Sequence, residues 1–143
     1  MAVQQLSIFA ENQPGSLVAI TDILQQADID IRAMSIADTQ DFGIVRLIVS
    51  DTDKACRALS SAECLVTRTA VVAAAIPDRP GALTELVHLL ADHSINLEYM
   101  YAFVTPSRQS ACVVLRVQDP ARTETLLSGH GIPCFTEEEI RNL

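Results

Sequence analysis

One short motif occurs twice in this chain, and each copy is followed by the same succession of segments. Asn12, Gln13, Pro14, Gly15, Ser16 and Leu17 come after a brief apolar stretch. Asp78, Arg79, Pro80, Gly81, Ala82 and Leu83 come after a similar one, with Gly15 and Gly81 66 positions apart. Each Pro-Gly-x-Leu opens a run of helical period, and each run leads into a segment beginning with isoleucine, Ile29 in one and Ile95 in the other. A repeat of this length is a duplicated domain and not a solenoid unit. The duplication divides the chain into residues 1–69 and 70–143, units of about 70 residues, near the size at which a lone core is marginal.

Side-chain periodicity gives both units one order of elements. In the first, Leu6, Ile8 and Ala10 alternate with Ser7 and Phe9 as in a strand, and Leu17, Ile20, Ile23, Leu24 and Ala27 recur at helical spacing. Residues 29–38 read as a second strand, residues 39–43 as a turn with Gly43 available for a positive φ, and Val45, Leu47 and Val49 as a third strand. Asp51 is placed to cap a second helix carrying Ala55, Ala58 and Leu59, and a short strand around Leu65, Val66 and Thr67 closes the unit. The second unit repeats this order. Val72, Ala74 and Ile76 form its first strand, Leu83, Leu86, Leu89 and Leu90 its first helix, and Val113, Leu115 and Val117 its third strand. The offset grows to 68 after a hairpin at residues 105–108. Asp119 with Pro120 then starts a helix that Gly129 is expected to stop, residues 132–135 are the expected last strand, and Thr136 to Glu139 read as a capped helical tail. Two βαββαβ units with short connections predict an α+β fold of two tandem ferredoxin-like sandwiches with mainly antiparallel sheets. The strand faces away from the helices carry Ile44, Ile48, Cys112 and Val114, too apolar for a sheet face open to water, so these positions are expected to be partly covered by another sheet, another chain or the C-terminal tail.

Composition excludes several functions. With 49% apolar residues the chain is not disordered, and a formal charge of −8 opposes binding to nucleic acid or to an anionic membrane face. No apolar run approaches the length of a membrane helix, and the first residues lack the basic start and apolar core of a signal peptide. Cys56, Cys64, Cys112 and Cys134 are scattered without a CxxC pair and are expected to be free thiols, so a cytoplasmic location is expected. His88 and His93 do not share a helix face, His130 has no partner in sequence, and neither HExxH, GxSxG nor a glycine-rich phosphate loop is present, so no metal, no cofactor and no catalytic residue is expected.

The repeated loops are the candidate binding residues. Proline stiffens the approach to each helix, glycine lets a ligand come close to the backbone, and the first amides of a helix favour a carboxylate. Asp78 can meet an ammonium group but repels a carboxylate, which Arg79 can offset, so the two loops are not equivalent. The same residues also serve as plain turn chemistry. Tyr99, Tyr101 and Phe103 share one face of a strand and read either as core or as an aromatic wall beside a ligand.

The two motif copies in matching βαββαβ units resemble the ACT domain, and the chain looks like a small stand-alone tandem ACT-domain protein from about Gln4 to at least Phe135. The resemblance implies a regulatory module that senses a free amino acid or similar small metabolite at interfaces between ACT units, with Asn12 to Leu17 and Asp78 to Leu83 supplying the contacts. As a partner it implies a metabolic enzyme under its control, while the small units with apolar outer strand faces at Ile44, Ile48 and Val114 are themselves expected to pair in a symmetric homodimer. The alternative is an assembly module that keeps the fold without a ligand. An acylphosphatase-like enzyme would need an arginine in a phosphate-cradling loop with a carboxamide nearby, and Arg79 beside Pro80 and Gly81 is a poor match.

Overall fold

The computed structural model describes residues 2–38, 42–104 and 110–143. The expected turn at 39–43 falls mostly outside them, and the hairpin at 105–108 wholly so. The chain forms two compact units, essentially Gln4–Thr69 and Ala70–Arg141.

In the first unit the elements are β1 (Val3–Glu11), α1 (Ser16–Gln26), β2 (Ile31–Asp38), β3 (Phe42–Val49), α2 (Thr52–Ser61) and the start of β4 (Leu65–Pro77), with strand order β2-β3-β1-β4. β1 pairs antiparallel with β3, Leu6 opposite Leu47 and Ile8 opposite Val45, and β2 pairs antiparallel with the other edge of β3. That register puts Leu6, Ile8, Val45, Leu47 and Val49 on one face, where they close over Ile20 and Leu24 of α1 and Ala55 and Leu59 of α2. The second unit continues with the rest of β4, then α3 (Ala82–Asp92), β5 (Tyr99–Val104), β6 (Ser110–Arg116), α4 (Pro120–Gly129) and a short α5 (Glu137–Arg141). β6 lies between β4 and β5, antiparallel to both, and Val72, Ala74, Val113 and Leu115 pack on Leu86, Leu90 and Leu127. This is the α+β architecture expected from the periodicity.

The differences have local causes. The strand expected around Leu65–Thr67 and the one expected at Val72–Ile76 are a single strand, β4, because residues 65–72 contain neither Pro nor Gly and are rich in Val and Thr. The expected last strand, interrupted by Pro133, is only an isolated bridge between Ala74 and Cys134. Gly43 lies inside β3 without a positive φ, and Gly129 ends α4 as its last helical residue while Gly131 makes the left-handed turn at φ 77°. Leu83 is exposed, and Ala82 takes the core position at the start of the α3 stripe with Leu86 and Leu90. On the faces away from the helices Ile48, Cys112 and Val114 are at most 1% exposed and Ile44 is half-buried, whereas Phe9 and Phe42 on the same face of the first sheet are 45% and 58% exposed.

The helix ends repeat as faithfully as the starts. After α1, Asp28 N–H donates to Gln25 O and Ile29 N–H to Leu24 O; after α3, Ser94 N–H donates to Ala91 O and Ile95 N–H to Leu90 O. The same pair of bonds follows α2 through Glu63 and Cys64, and α4 through Gly131 and Ile132. Each is a Schellman cap, which needs a left-handed residue just past the helix. Only α4 has glycine there; Asp28, Glu63 and Ser94 adopt φ of 57°, 65° and 56°. Glu63→Gly should therefore stabilise the protein by about 0.5–1 kcal/mol, the relief of a left-handed side chain less the added freedom of the unfolded glycine. A thermal melt that is unchanged or lower would refute this. At the helix starts, Asp51 accepts from Lys54 N–H and Asp119 from Arg122 N–H, both at 3.1 Å, and Thr136 and Glu139 cap each other reciprocally. No helix among the described residues is long and apolar enough to cross a membrane.

Candidate functional site

The backbones of the two Pro-Gly loops are near copies. Gly15 and Gly81 both stand at φ 89° as the residue before the helix, and no side chain caps either helix. Ser16 N–H donates to Gln13 O at 3.3 Å and Ala19 N–H to Gly15 O at 3.1 Å; the counterparts are Ala82 N–H to Arg79 O at 3.2 Å and Glu85 N–H to Gly81 O at 3.0 Å. Glycine is required here by a left-handed conformation that other residues adopt only with strain. The space before it is open. A Cβ at Gly15 would meet nothing within 4 Å, and one at Gly81 only Arg79 Nη1 at 3.9 Å. Valine at either position would thus strain the backbone as well as obstruct a ligand, and cannot separate the two roles.

The side chains make the loops different. In the first unit Gln13 and Ser16 join Glu11, Phe9, Ala19 and Cys64 around an open cleft of about 200 Å³ whose inner wall includes Ile8 and Ile20. Asn12, Pro14 and Gly15 are exposed along the loop and Leu17 is half-buried, packed against the first core. Sequence reasoning missed Phe9, Ala19 and Cys64. The signal for Cys64 is the strand order, since β4 neighbours β1 and the residue just before β4 comes beside the end of β1.

In the second unit Asp78, Arg79, Pro80, Gly81 and Leu83 are exposed and Ala82 is buried. Arg79 does not offset Asp78: its Nη2 pairs with Glu85 Oε2 at 2.9 Å and its Nη1 donates to Pro80 O at 3.4 Å. An exposed pair of this kind contributes about 0–1 kcal/mol. Glu85 stands where the first repeat has Ala19, so the second loop already holds a carboxylate beside its helix start.

The remaining candidates resolve simply. Met100 packs on the second core, while Tyr99, Tyr101 and Phe103 are half-buried on the other face of β5. His130 does have a partner: its ring meets that of His93 edge-on, with centroids 5.6 Å apart, and each Nδ1 lies about 3 Å from a carbonyl one turn back, Leu126 O and Leu89 O. Among the described residues no group of three or more His, Cys, Asp or Glu is arranged to hold a metal.

The fold and the paired loops agree with comparisons to known proteins. A family model described as an ACT domain pair matches residues 1–143. The crystal structure of protein BT0572 from Bacteroides thetaiotaomicron is 36% identical, with a TM-score of 0.93 over 100% of this chain and 98% of that one. The regulatory subunit of aspartate kinase from Thermus thermophilus, ligand-free, shares the fold at 15% identity and a TM-score of 0.63, over 90% of this chain and 93% of that one. Aspartate kinase from Synechocystis shares it at 22% identity and a TM-score of 0.61, over 94% of this chain but 26% of that one. No curated protein matches the chain. Two βαββαβ units, each opening its first helix from a left-handed glycine, and a family match over the whole length make this chain a member of the ACT-domain-pair family.

Proposed function

We propose that this protein is a non-catalytic regulatory module that binds a free amino acid at its first Pro-Gly loop. The observation that carries the reading is the cleft beside Gln13 and Ser16, which joins an uncapped helix start to one carboxylate and an apolar wall. The helix start suits the ligand carboxylate, Glu11 suits its ammonium group, and Phe9, Ala19, Ile20 and Cys64 suit a small or aliphatic side chain. The likeness in fold to a protein named as a regulatory subunit of aspartate kinase supports a regulatory role, with a metabolic enzyme as the partner controlled. The second loop, Asp78 to Leu83, is the weaker site because Glu85 occupies the place of the ligand carboxylate. Four free cysteines suit a reducing cytoplasm.

The homodimer belongs to the same proposal, though on other residues than the sequence indicated. Phe9 and Phe42 are 45% and 58% exposed on the sheet face away from the helices, and a second copy covering them would also close the cleft beside Phe9, while Met34 and Ile36, 41% and 54% exposed, lie on the helix-facing side of the edge strand β2. These residues equally favour the second reading, an assembly module without a ligand.

A thermal-shift screen against the common amino acids distinguishes the two, because a ligand that binds only the folded state raises the melting temperature. A small aliphatic amino acid is expected to bind with about −4 to −8 kcal/mol, micromolar to millimolar. Ala19→Glu, which copies Glu85 into the first loop, should weaken that binding by about tenfold or more while slightly stabilising α1 through its dipole. Unchanged affinity in Ala19→Glu would reject the first loop as the site. A screen with no response, together with dimerisation in sedimentation equilibrium, would leave the assembly reading.

A further inference from the structure

Two histidines meet where α3 and α4 end. His93 is the C-cap of α3 and His130 the C-cap of α4, and their rings stand 5.6 Å apart between centroids at an angle of 73°. Each ring is fixed on its own helix. His93 Nδ1 lies 3.0 Å from Leu89 O, and His130 Nδ1 lies 2.9 Å from Leu126 O. A carbonyl only accepts, so each Nδ1 carries a proton and donates it, and in the neutral ring Nε2 keeps its lone pair. Arg122 Nη2 donates to His93 O at 3.3 Å and ties the backbone of the first histidine to α4. His93 is half-buried and His130 exposed, so the pair is open to solvent.

The duplication shows that the fold does not need this pair. The C-caps of α1 and α2 are Ala27 and Ala62, and the same Schellman bonds follow them. Alanine closes both helices of the first unit where histidine closes both helices of the second. A single histidine at a helix C-terminus is explained by the dipole, which favours its cation. Two in contact are not, because two imidazolium cations this close repel.

The spacing suits one shared ion. An imidazole bound to a divalent metal through Nε2 at about 2.0–2.1 Å holds its centroid about 3.2 Å from the ion. Two such rings at a tetrahedral to trigonal angle have centroids about 5.2–5.5 Å apart. The observed separation is 5.6 Å. An Nδ1–H given to a backbone carbonyl is also the contact that orients a ligand histidine and raises the basicity of its other nitrogen.

We infer that His93 and His130 together bind a borderline divalent transition-metal ion, of the Zn²⁺, Ni²⁺ or Cu²⁺ type, through their two Nε2 atoms. Imidazole nitrogen takes these ions in preference to Mg²⁺ and Ca²⁺, which take oxygen. Among the described residues no third His, Cys, Asp or Glu joins the pair, so water fills the remaining positions and the affinity is micromolar to millimolar. The bound ion links the last turns of α3 and α4. Neither histidine belongs to a Pro-Gly loop, so the inference is independent of the amino-acid reading.

The test is a long-range ¹H–¹⁵N NMR titration of the untagged, ¹⁵N-labelled full chain with zinc chloride, at about pH 8 where neutral imidazole prevails. Magnesium chloride is the control. Zinc to about 1 mM should shift Nε2 of His93 and of His130 together and saturably, while His88 stays in place and magnesium moves none of the three. His93→Ala and His130→Ala copy Ala27 and Ala62, so both variants are expected to fold, which a metal-free melt checks. Each should weaken zinc binding at the remaining ring by about tenfold or more, since one nitrogen replaces two. A variant that failed to fold would leave the wild-type titration to decide. No shift of either ring, a saturable shift of one ring alone, shifts confined to the neighbourhood of the cysteines, or equal affinity in either folded variant would each overturn the inference.

Discussion

Leu90→Ala is expected to cost about 2–5 kcal/mol, and Leu24→Ala a similar amount, through lost transfer energy and the cavity left behind. Both leucines are at most 2% exposed and belong to the clusters beneath α3 and α1. Leu24 shares its cluster with Leu6 and Leu47, and Leu90 shares the other with Val72 and Leu115. Against a total stability of about 5–15 kcal/mol the loss is a large fraction. Each variant leaves the Schellman cap in place, because the capping acceptor is the backbone carbonyl of the same residue. Urea melts give the measurement, and a loss below about 1 kcal/mol at either position would remove that residue from its core.

The second large effect is alkaline unfolding. Burial pushes the Cys112 thiol up from 9.0 to about 12, with the neighbouring Cys134 adding to the shift. Cys134 rises from 9.0 to about 11 by burial and then by the charge of Glu124. For a group whose folded pKa is raised, the stabilisation is complete below the unfolded pKa and is lost as pH rises toward the folded one. The unfolded Cys112 thiol ionises from about pH 9 upward while the folded one stays protonated, so it lowers stability by about 1.4 kcal/mol per pH unit, and the more exposed Cys134 acts in the same direction. For Cys112 the window runs from pH 9.0 to about 12, and the loss on crossing it is on the order of 4 kcal/mol. Cys112→Ala should flatten the fall of stability with pH above 9 while costing some packing at neutral pH. Parallel pH profiles for the wild type and Cys112→Ala would reject burial of this thiol as a cause.

Wherever a short-range rule decides, the sequence was a sufficient guide. Asp51, Asp119 and the Thr136–Glu139 pair cap their helices because each cap is made within three residues. The alternation of Leu6 and Ile8 with Ser7 identified the helix-facing side of the first sheet, and the match of Val113 and Leu115 to Val45 and Leu47 in the repeat identified that of the second. What escaped notice depends on partners far along the chain or on one backbone angle. Cys64 reaches the first-loop cleft only because β4 lies beside β1, and His130 meets His93 only because α3 and α4 end together. Gly129 and Gly131 are two residues apart, and periodicity cannot tell which carries the left-handed turn. Arg79 had two acids within reach in sequence, Asp78 and Glu85, and only the start of α3 decides between them. The candidate loop was therefore legible as backbone, and the cleft beside it was not.

The strand order of the first unit has a consequence for synthesis. β1 is made first, yet both of its neighbours come later: Leu6 waits for Leu47, and the other edge waits for β4. At roughly 5–20 residues per second a nascent chain carries an unpaired strand for a matter of seconds. During that time Val3, Leu6 and Ile8 present an apolar edge that other chains can pair with, while α1 and its cap close locally within microseconds. The barrier to folding then lies in threading β1 between two late strands, a closure over long sequence distance whose entropy is spent before any core forms. Chaperone demand for this protein should therefore fall on its first strand and not on its helices.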